Sequence, residues 1–231
     1  CINNYIYKIM YNDRYFVKDI YNSYKQLLSK KILICGMIDN IRKQSNIVFL
    51  DINDGTNLKG IQVILEQNID ASENYKNILN KGTKGTILSV RGNLIESPAK
   101  GQDFELLADK DGIEYFDCIV DPNEYPISKN RVPLETLRNH LHLRMRTKVL
   151  GSVTRVRSKC AMFTHLFFQD KDFQYIHTPL LTSSDCEGAG ETFTVTNLLP
   201  EKINKDTKIE EYNKDFFGKK TSLTVSGQLN V

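Results

Sequence analysis

The chain has no apolar run of about 18 residues, so no helix able to cross a lipid bilayer is expected. It has no CxxC pair, and its cysteines number five, an odd count that fits neither a disulfide nor a zinc framework. A reduced, cytosol-like compartment is expected. The four histidines include no HExxH, so no metal site is assigned. Acid is scarce in one region. Residues 122–160 hold nine Lys/Arg against two Glu, a balance of +7, which leaves −4 for the rest of the +3 chain. Six of the nine arginines lie there: Arg131, Arg138, Arg144, Arg146, Arg155 and Arg157. In a chain that otherwise favours Lys, this points to a use for fork geometry as well as charge. Two readings fit: a solvated face with salt bridges, or contact with a polyanion.

The apolar fraction of 40% and charged fraction of 26% place the chain among soluble globular proteins. It begins at Cys1 rather than Met and stops at SGQLNV, inside a strand-like run, so we read it as a fragment. From residue 31 to residue 118 the signals are those of strands. KILICGMID, NIVFLDI and LKGIQVIL are followed by a helical stretch over residues 72–79, then GTILSVRGNLIE and DFELLAD. Three strands, a helix and two strands is the order of an OB-fold barrel. Such barrels bind single-stranded nucleic acid through aromatics and a basic groove. Arg42, Phe49 and Gln62 stand where that face would be. Pattern alone favours a core residue at Phe49. Alternation argues the other way, because Val48 and Leu50 flank it and must point opposite to it.

Residues 119–146 read as a connector broken by Pro122 and Pro126. A long helix is expected from about Thr147, with Val149, Val153, Val156, Cys160, Phe163 and Phe167 at alternating steps of four and three. That stripe suits a subunit interface or an ordinary core helix. The run FQYIHTPLL reads as a strand, and Pro179 within it marks an edge or interface strand. Residues 198–217 read as a surface insertion, and GKKTSLTVSGQLNV as the start of a further strand. Between them lies SDCEGAGETF. Gly-rich turns after strands usually cradle phosphate with backbone N–H groups and a lysine. This one carries Asp185, Glu187 and Glu191 and no base, and three carboxylates repel a triphosphate. Cys186 has no histidine nearby in sequence and reads as a bystander thiol.

The order of these elements, with IVFLDINDG, EYPISKNRVPLETLRNHLHLRMRT, FQYIHTPLLTSSDCEGAGETF and DFFGKKTSLTVSGQLNV, resembles the N-terminal part of the asparaginyl-tRNA synthetases. These are class II enzymes grouped with the aspartyl and lysyl synthetases. The resemblance implies that the helix from Thr147 and the segment ending at Pro179 correspond to class II motif 1, which builds the homodimer, with Pro179 its signature proline. It implies that Ser184, Asp185, Gly188, Ala189, Gly190 and Glu191 belong to a lid over the amino acid, and that Glu187 contacts the α-ammonium. Ser226 and Gln228 fall at substrate-binding positions. Phe49 matches an aromatic that stacks on the central anticodon base, and Arg42 and Gln62 match residues that read anticodon bases.

The implied fold class is α+β and multidomain, an OB-fold barrel followed by the start of a class II antiparallel-sheet catalytic domain. The divisions expected are an N-terminal extension (1–30), an anticodon-binding OB domain (31–118), a hinge (119–146) and the start of the catalytic domain (147–231). The implied reaction is ATP-dependent activation of asparagine to an adenylate and transfer to tRNA(Asn), with ATP and Mg2+ held mainly beyond this chain. Motif 2 is expected past Val231, so the fragment alone is expected to be inactive. Aspartyl enzymes place a lysine two residues after SGQL. Val231 stands there instead, which favours a neutral amide substrate. The alternatives are an aspartyl-tRNA synthetase and a non-catalytic OB-fold RNA-binding or synthetase-like protein. The expected location is cytoplasmic, an organellar form being left open by the unseen native N-terminus.

Overall fold

A computed structural model describes residues 13–115, 119–129, 131–184, 192–198 and 209–228. Five of the apolar runs pair into a closed barrel: β1 (Lys31–Lys43), β2 (Ile47–Asn53), β3 (Ile61–Glu66), β4 (Ile87–Glu96) and β5 (Phe104–Tyr115). The spatial order is β1-β2-β3-β5-β4. Every contact is antiparallel except β3 with β5, which closes the ring. The chain therefore contains the five-stranded OB barrel expected from its pattern. Ile34, Leu50, Ile52, Leu65, Leu88 and Leu106 fill the interior and are all but inaccessible to water. Helix α2 (Glu73–Lys81) links β3 to β4. The Ser72 hydroxyl accepts the Tyr75 amide at its start, and Tyr75 and Ile78 turn inward.

Closure depends on a glycine. The β4–β5 register slips between Val90 and Gly92, a bulge that bends the strand. A Cβ at Gly92 would lie 2.1 Å from the Leu107 carbonyl oxygen and 2.9 Å from the Ala108 Cα. Both are backbone atoms of the partner strand, which cannot yield without opening the ladder. Gly92→Ala is expected to cost about 3 kcal/mol, the upper part of the range for overpacking. Urea denaturation of the purified chain measures it, and an unchanged midpoint would show that the bulge accommodates a side chain.

Residues 13–30 contribute more than their sequence suggests. Helix α1 (Val17–Leu27) buries Val17, Ile20 and Leu27 in the barrel core, and Tyr21 and Tyr24 lie against the Phe104 ring. Phe16, which precedes α1, offers no side-chain cap. The cap comes from the β2–β3 turn instead. Asp54 Oδ2 accepts the Val17 amide at 2.8 Å, and Thr56 Oγ1 accepts the Lys18 amide at 3.1 Å. The other oxygen of Asp54 accepts the amide and hydroxyl of Thr56, so one carboxylate shapes the turn and anchors the helix.

The chain divides into two compact units, Cys1–Arg157 and Ser158–Val231. In the first, the proline-broken connector carries a short helix, α3 (Leu134–Asn139), and a small core of Ile127, Leu137 and Leu143. The helix expected from Thr147 is α4 (Lys148–Gln169), which runs across the division. The Thr147 hydroxyl donates back to the Arg144 carbonyl. No residue of α4 is buried among the described residues; Val149, Val156 and Phe163 are each more than 60% exposed.

The second unit corrects one expectation. FQYIHTPLL is not a strand over its length: only Leu181–Thr182 (β6) is paired, and Pro179 precedes it. Apolar, β-rich residues form a strand only beside a partner, and residues 173–179 pair with no strand among the described residues. Strand β8 (Thr221–Leu223) lies between β6 and β7 (Thr194–Val195). Of the stretch read as a surface insertion, residues 199–208 lie outside the described residues. Its later part forms a 3-10 turn (Ile209–Lys214) that buries Tyr212.

Candidate functional site

Strand alternation and register place three of the expected residues together on the outside of the barrel. Arg42 pairs directly opposite Phe49 across β1 and β2, while Asp51 faces Asn40 on one side and Gln62 on the other. Val48 and Leu50 are buried and Phe49 between them is half-exposed. The Arg42 guanidinium lies over the Phe49 ring, 5.6 Å from its centroid, and donates to Gln62 Oε1 at 2.5 Å. The outcome is an aromatic face, a guanidinium and an amide side by side on a solvent-facing strip. That set can stack on a base and hydrogen-bond its edge.

One member of the strip escaped the sequence reading. Gln62 Nε2 donates to Glu105 Oε1 at 3.0 Å, and the Ser97 hydroxyl and the Gln102 amide donate to the same oxygen. Glu105 is only 2% exposed. Such a carboxylate needs its three donors, and it fixes which way the Gln62 amide faces: amino group inward, carbonyl outward to Arg42. The available signal was an acid inside the apolar run DFELLAD, with two donors within eight residues of it. Asp51 accepts from Asn40 at 3.2 Å and lies 3.9 Å from Arg42, too long and too exposed a pair to hold the arginine alone.

In the second unit, β8 positions the other expected residues. Beyond its end, the Thr224 amide donates to the Leu180 carbonyl, extending the contact with the β6 side. The chain then turns. Thr224 Oγ1 donates to the Ser226 carbonyl, and Ser226 Oγ accepts the Gln228 amide at 3.1 Å. A Cβ at Gly227 would lie 2.7 Å from Thr178 Oγ1, so only glycine lets this turn approach the chain ahead of Pro179. Ser226 and Gln228 therefore stand close to Thr178 and Pro179. Pro179 itself is exposed.

The expected lid residues Asp185, Glu187, Gly188, Ala189, Gly190 and Glu191 lie outside the described residues, as does Val231. The two ends of that loop are described. Ser184 follows β6, and its amide donates to Thr182 Oγ1. On the far side the Thr192 hydroxyl meets Ser222 Oγ at 3.2 Å, and the Phe193 carbonyl accepts the Leu223 amide. The loop thus springs from both neighbours of the strand that leads to Ser226 and Gln228.

Two family descriptions match this chain: an OB-fold nucleic acid binding domain over residues 32–114, and class II tRNA synthetases (D, K and N) over residues 133–229. The asparagine–tRNA ligase of Microcystis aeruginosa is 44% identical over 202 residues, 87% of this chain and 42% of the relative. That of Treponema denticola is 41% identical over 224 residues, 93% of this chain and 46% of the relative. The chain spans less than half the length of these relatives. The asparaginyl-tRNA synthetase of Pyrococcus horikoshii, solved with asparaginyl-adenylate, superposes with a TM-score of 0.72 at 17% identity, covering 95% of this chain and 44% of that one. The Entamoeba histolytica enzyme, with the same adenylate, gives 0.64 at 17% identity, covering 90% and 42%. At such identity these two structures speak for the fold.

Proposed function

We propose that the chain is part of a class II tRNA synthetase of the D, K and N group and serves asparagine–tRNA ligation. In this reading it supplies anticodon binding, dimer formation and part of the amino-acid site. The observation that carries it is that one chain joins the Arg42–Phe49–Gln62 strip of a closed OB barrel to an acidic loop rooted on both sides of β8. Phe49 stacks on an anticodon base of tRNA(Asn), while Arg42 and Gln62 bond base edges.

At the second site, Glu187 holds the α-ammonium of asparagine by a charge-assisted hydrogen bond. That hold fixes the substrate carboxylate for attack on ATP. Ser226 and Gln228 line the same pocket, and Gly188 and Gly190 let the lid close and exclude water from the adenylate. The exposed apolar stripe of α4, with Pro179, forms the homodimer interface. ATP with Mg2+ supplies the activating phosphate chemistry. Among the described residues no three acidic, histidine or cysteine side chains converge on a metal position, so neither is assigned to a residue of this chain.

The test is asparagine-dependent exchange of pyrophosphate into ATP by the full-length protein. Exchange is expected with asparagine and not with aspartate. A protein driven by aspartate, or by neither amino acid, would overturn the assignment.

A further inference from the structure

Strand β8, which leads to Ser226 and Gln228, has little of its own to fix its register. It is three residues long, and its neighbours β6 and β7 are two residues each. Burial of apolar side chains does not choose the pairing either, since Thr221 is buried while Leu223 is 44% exposed. Register is weakly specified in a strand of this kind. A slip of one residue would move each later backbone position by about 3.4 Å and turn every side chain to the other face. The observed pairing, with Ser222 opposite both Thr182 and Thr194, therefore needs anchors outside the ladder. The close fit of Gly227 against Thr178 is one of them, at the far end of the strand.

At the near end stands a buried carboxylate that the proposed reaction does not use. Asp215 precedes β8, directly after the 3-10 turn, and is only 8% exposed. Its Oδ1 accepts the Phe216 amide at 2.7 Å and the Asn197 amide at 3.0 Å. The first bond shapes the local turn, which the Gly218 amide closes on the Asp215 carbonyl, with Gly218 at a φ of 64°. The second bond reaches the segment that leaves β7. One oxygen thus ties the exit of β7 to the entrance of β8, and it closes the connection of residues 196–220 at its base. Thr221, the first residue of β8, is fastened to the same turn, its hydroxyl donating to the Lys219 carbonyl. Asp215 Oδ2 is buried and has no hydrogen-bond partner among the described residues. The Thr196 side chain, then the two amides, hold the Asp215 carboxyl below the usual carboxylate range, so the fold favours the ionised acceptor.

We infer that Asp215 is a positioning residue for the amino-acid site. By pinning Asn197 to the turn ahead of β8, its Oδ1 sets the register of that strand and so the placement of Ser226 and Gln228. The inference rests on the reading of those two residues as contacts to asparagine. Asp215 itself touches no reacting group; a misplaced binding residue is what costs rate.

The experiment uses the full-length protein and measures asparagine-dependent pyrophosphate exchange, with thermal melting alongside. Asp215→Ala is expected to lower kcat/KM for asparagine by about tenfold to a hundredfold, while the KM for ATP stays unchanged. Asp215→Asn keeps the Oδ1 acceptor and puts its amino group where Oδ2 bonds nothing, so it should recover most of the activity. Asp215→Glu keeps the charge but moves the acceptor by a methylene, and it should be as poor as the alanine variant. If Asp215→Ala does not fold, the asparagine and glutamate variants carry the test between them. Variants that melt earlier yet keep the wild-type kcat/KM would make Asp215 a purely structural residue and overturn the inference. A KM for ATP that rises in step with that for asparagine would also overturn it, because the damage would then be general. Failure of the reading beneath it has a separate signature: the wild type itself would show no exchange with asparagine, and the inference would fall with it.

Discussion

Phe49→Ala in the full-length protein is expected to lower the affinity for asparagine tRNA by about tenfold to a hundredfold. Loss of one base stacked on an aromatic ring is worth about 1–3 kcal/mol, which sets that range. The ring is half-exposed while Val48 and Leu50 carry the core contacts of β2, so the variant should melt close to the wild type. That pairing of outcomes separates recognition from packing. A core phenylalanine would instead cost about 3–5 kcal/mol of stability on truncation. Phe49→Trp restores a π-face and should recover most of the binding, since stacking tolerates a change of ring. The Arg42 guanidinium over the ring and its bond to Gln62 mean that the three residues act as one unit. Losses at Phe49 and Arg42 are expected to be less than additive. Wild-type affinity in Phe49→Ala would remove the strip from RNA recognition.

Glu187→Gln is the second large effect, and it falls on the other half of the reaction. The substitution keeps shape and removes charge, so on the proposed reading it is expected to take away the ionic part of the bond to the asparagine ammonium. Hydrogen bonds to charged groups contribute about 1.5–3 kcal/mol, which predicts a fall in kcat/KM for asparagine activation of about tenfold to a hundredfold. Steady-state pyrophosphate exchange measures it. The affinity for tRNA should not move, because the anticodon strip lies on the barrel. If Glu187→Gln charged tRNA at the wild-type rate, the ammonium would have to be held elsewhere, and Asp185 and Glu191 would be the next residues to neutralise.

The barrel was legible because each of its strands announces itself locally. NIVFLDI alternates, GIQVIL and ILSVRGNLIE are β-rich, and NDG marks the turn between β2 and β3. The same alternation argues for Phe49 pointing outward, against the core role that its residue type favours. What escaped was set by partners far along the chain. Val17, Ile20, Tyr24 and Leu27 have helical spacing, yet the groups that cap α1 are Asp54 and Thr56, 37 and 38 residues away in sequence. Glu105 is an acid in an apolar run whose meaning depends on Gln62 across the barrel. FQYIHTPLL has strand composition, but a strand is a relation between two segments, and among the described residues only its last residue, Leu181, followed by Thr182, is paired in a ladder. In the second site, the family resemblance put Ser226 and Gln228 at substrate-binding positions. Only the structure shows that both ends of the Gly-rich loop flank β8.

The shared carboxylate of Asp54 bears on how this protein can be dissected. A recombinant barrel cut at Lys31, the first residue of β1, would look sensible from the strand boundaries alone. It would remove Val17, Ile20 and Leu27 from the interior and leave an open mouth lined by Phe104. It would also take the helix amides from Asp54 and Thr56. The Gly55 carbonyl, which accepts from Arg155 at the other edge of the turn, would then be held from one side only. A piece that keeps the packed barrel whole therefore starts ahead of Tyr15, whose amide already bonds the Leu33 carbonyl, and expression vectors should be drawn with that margin.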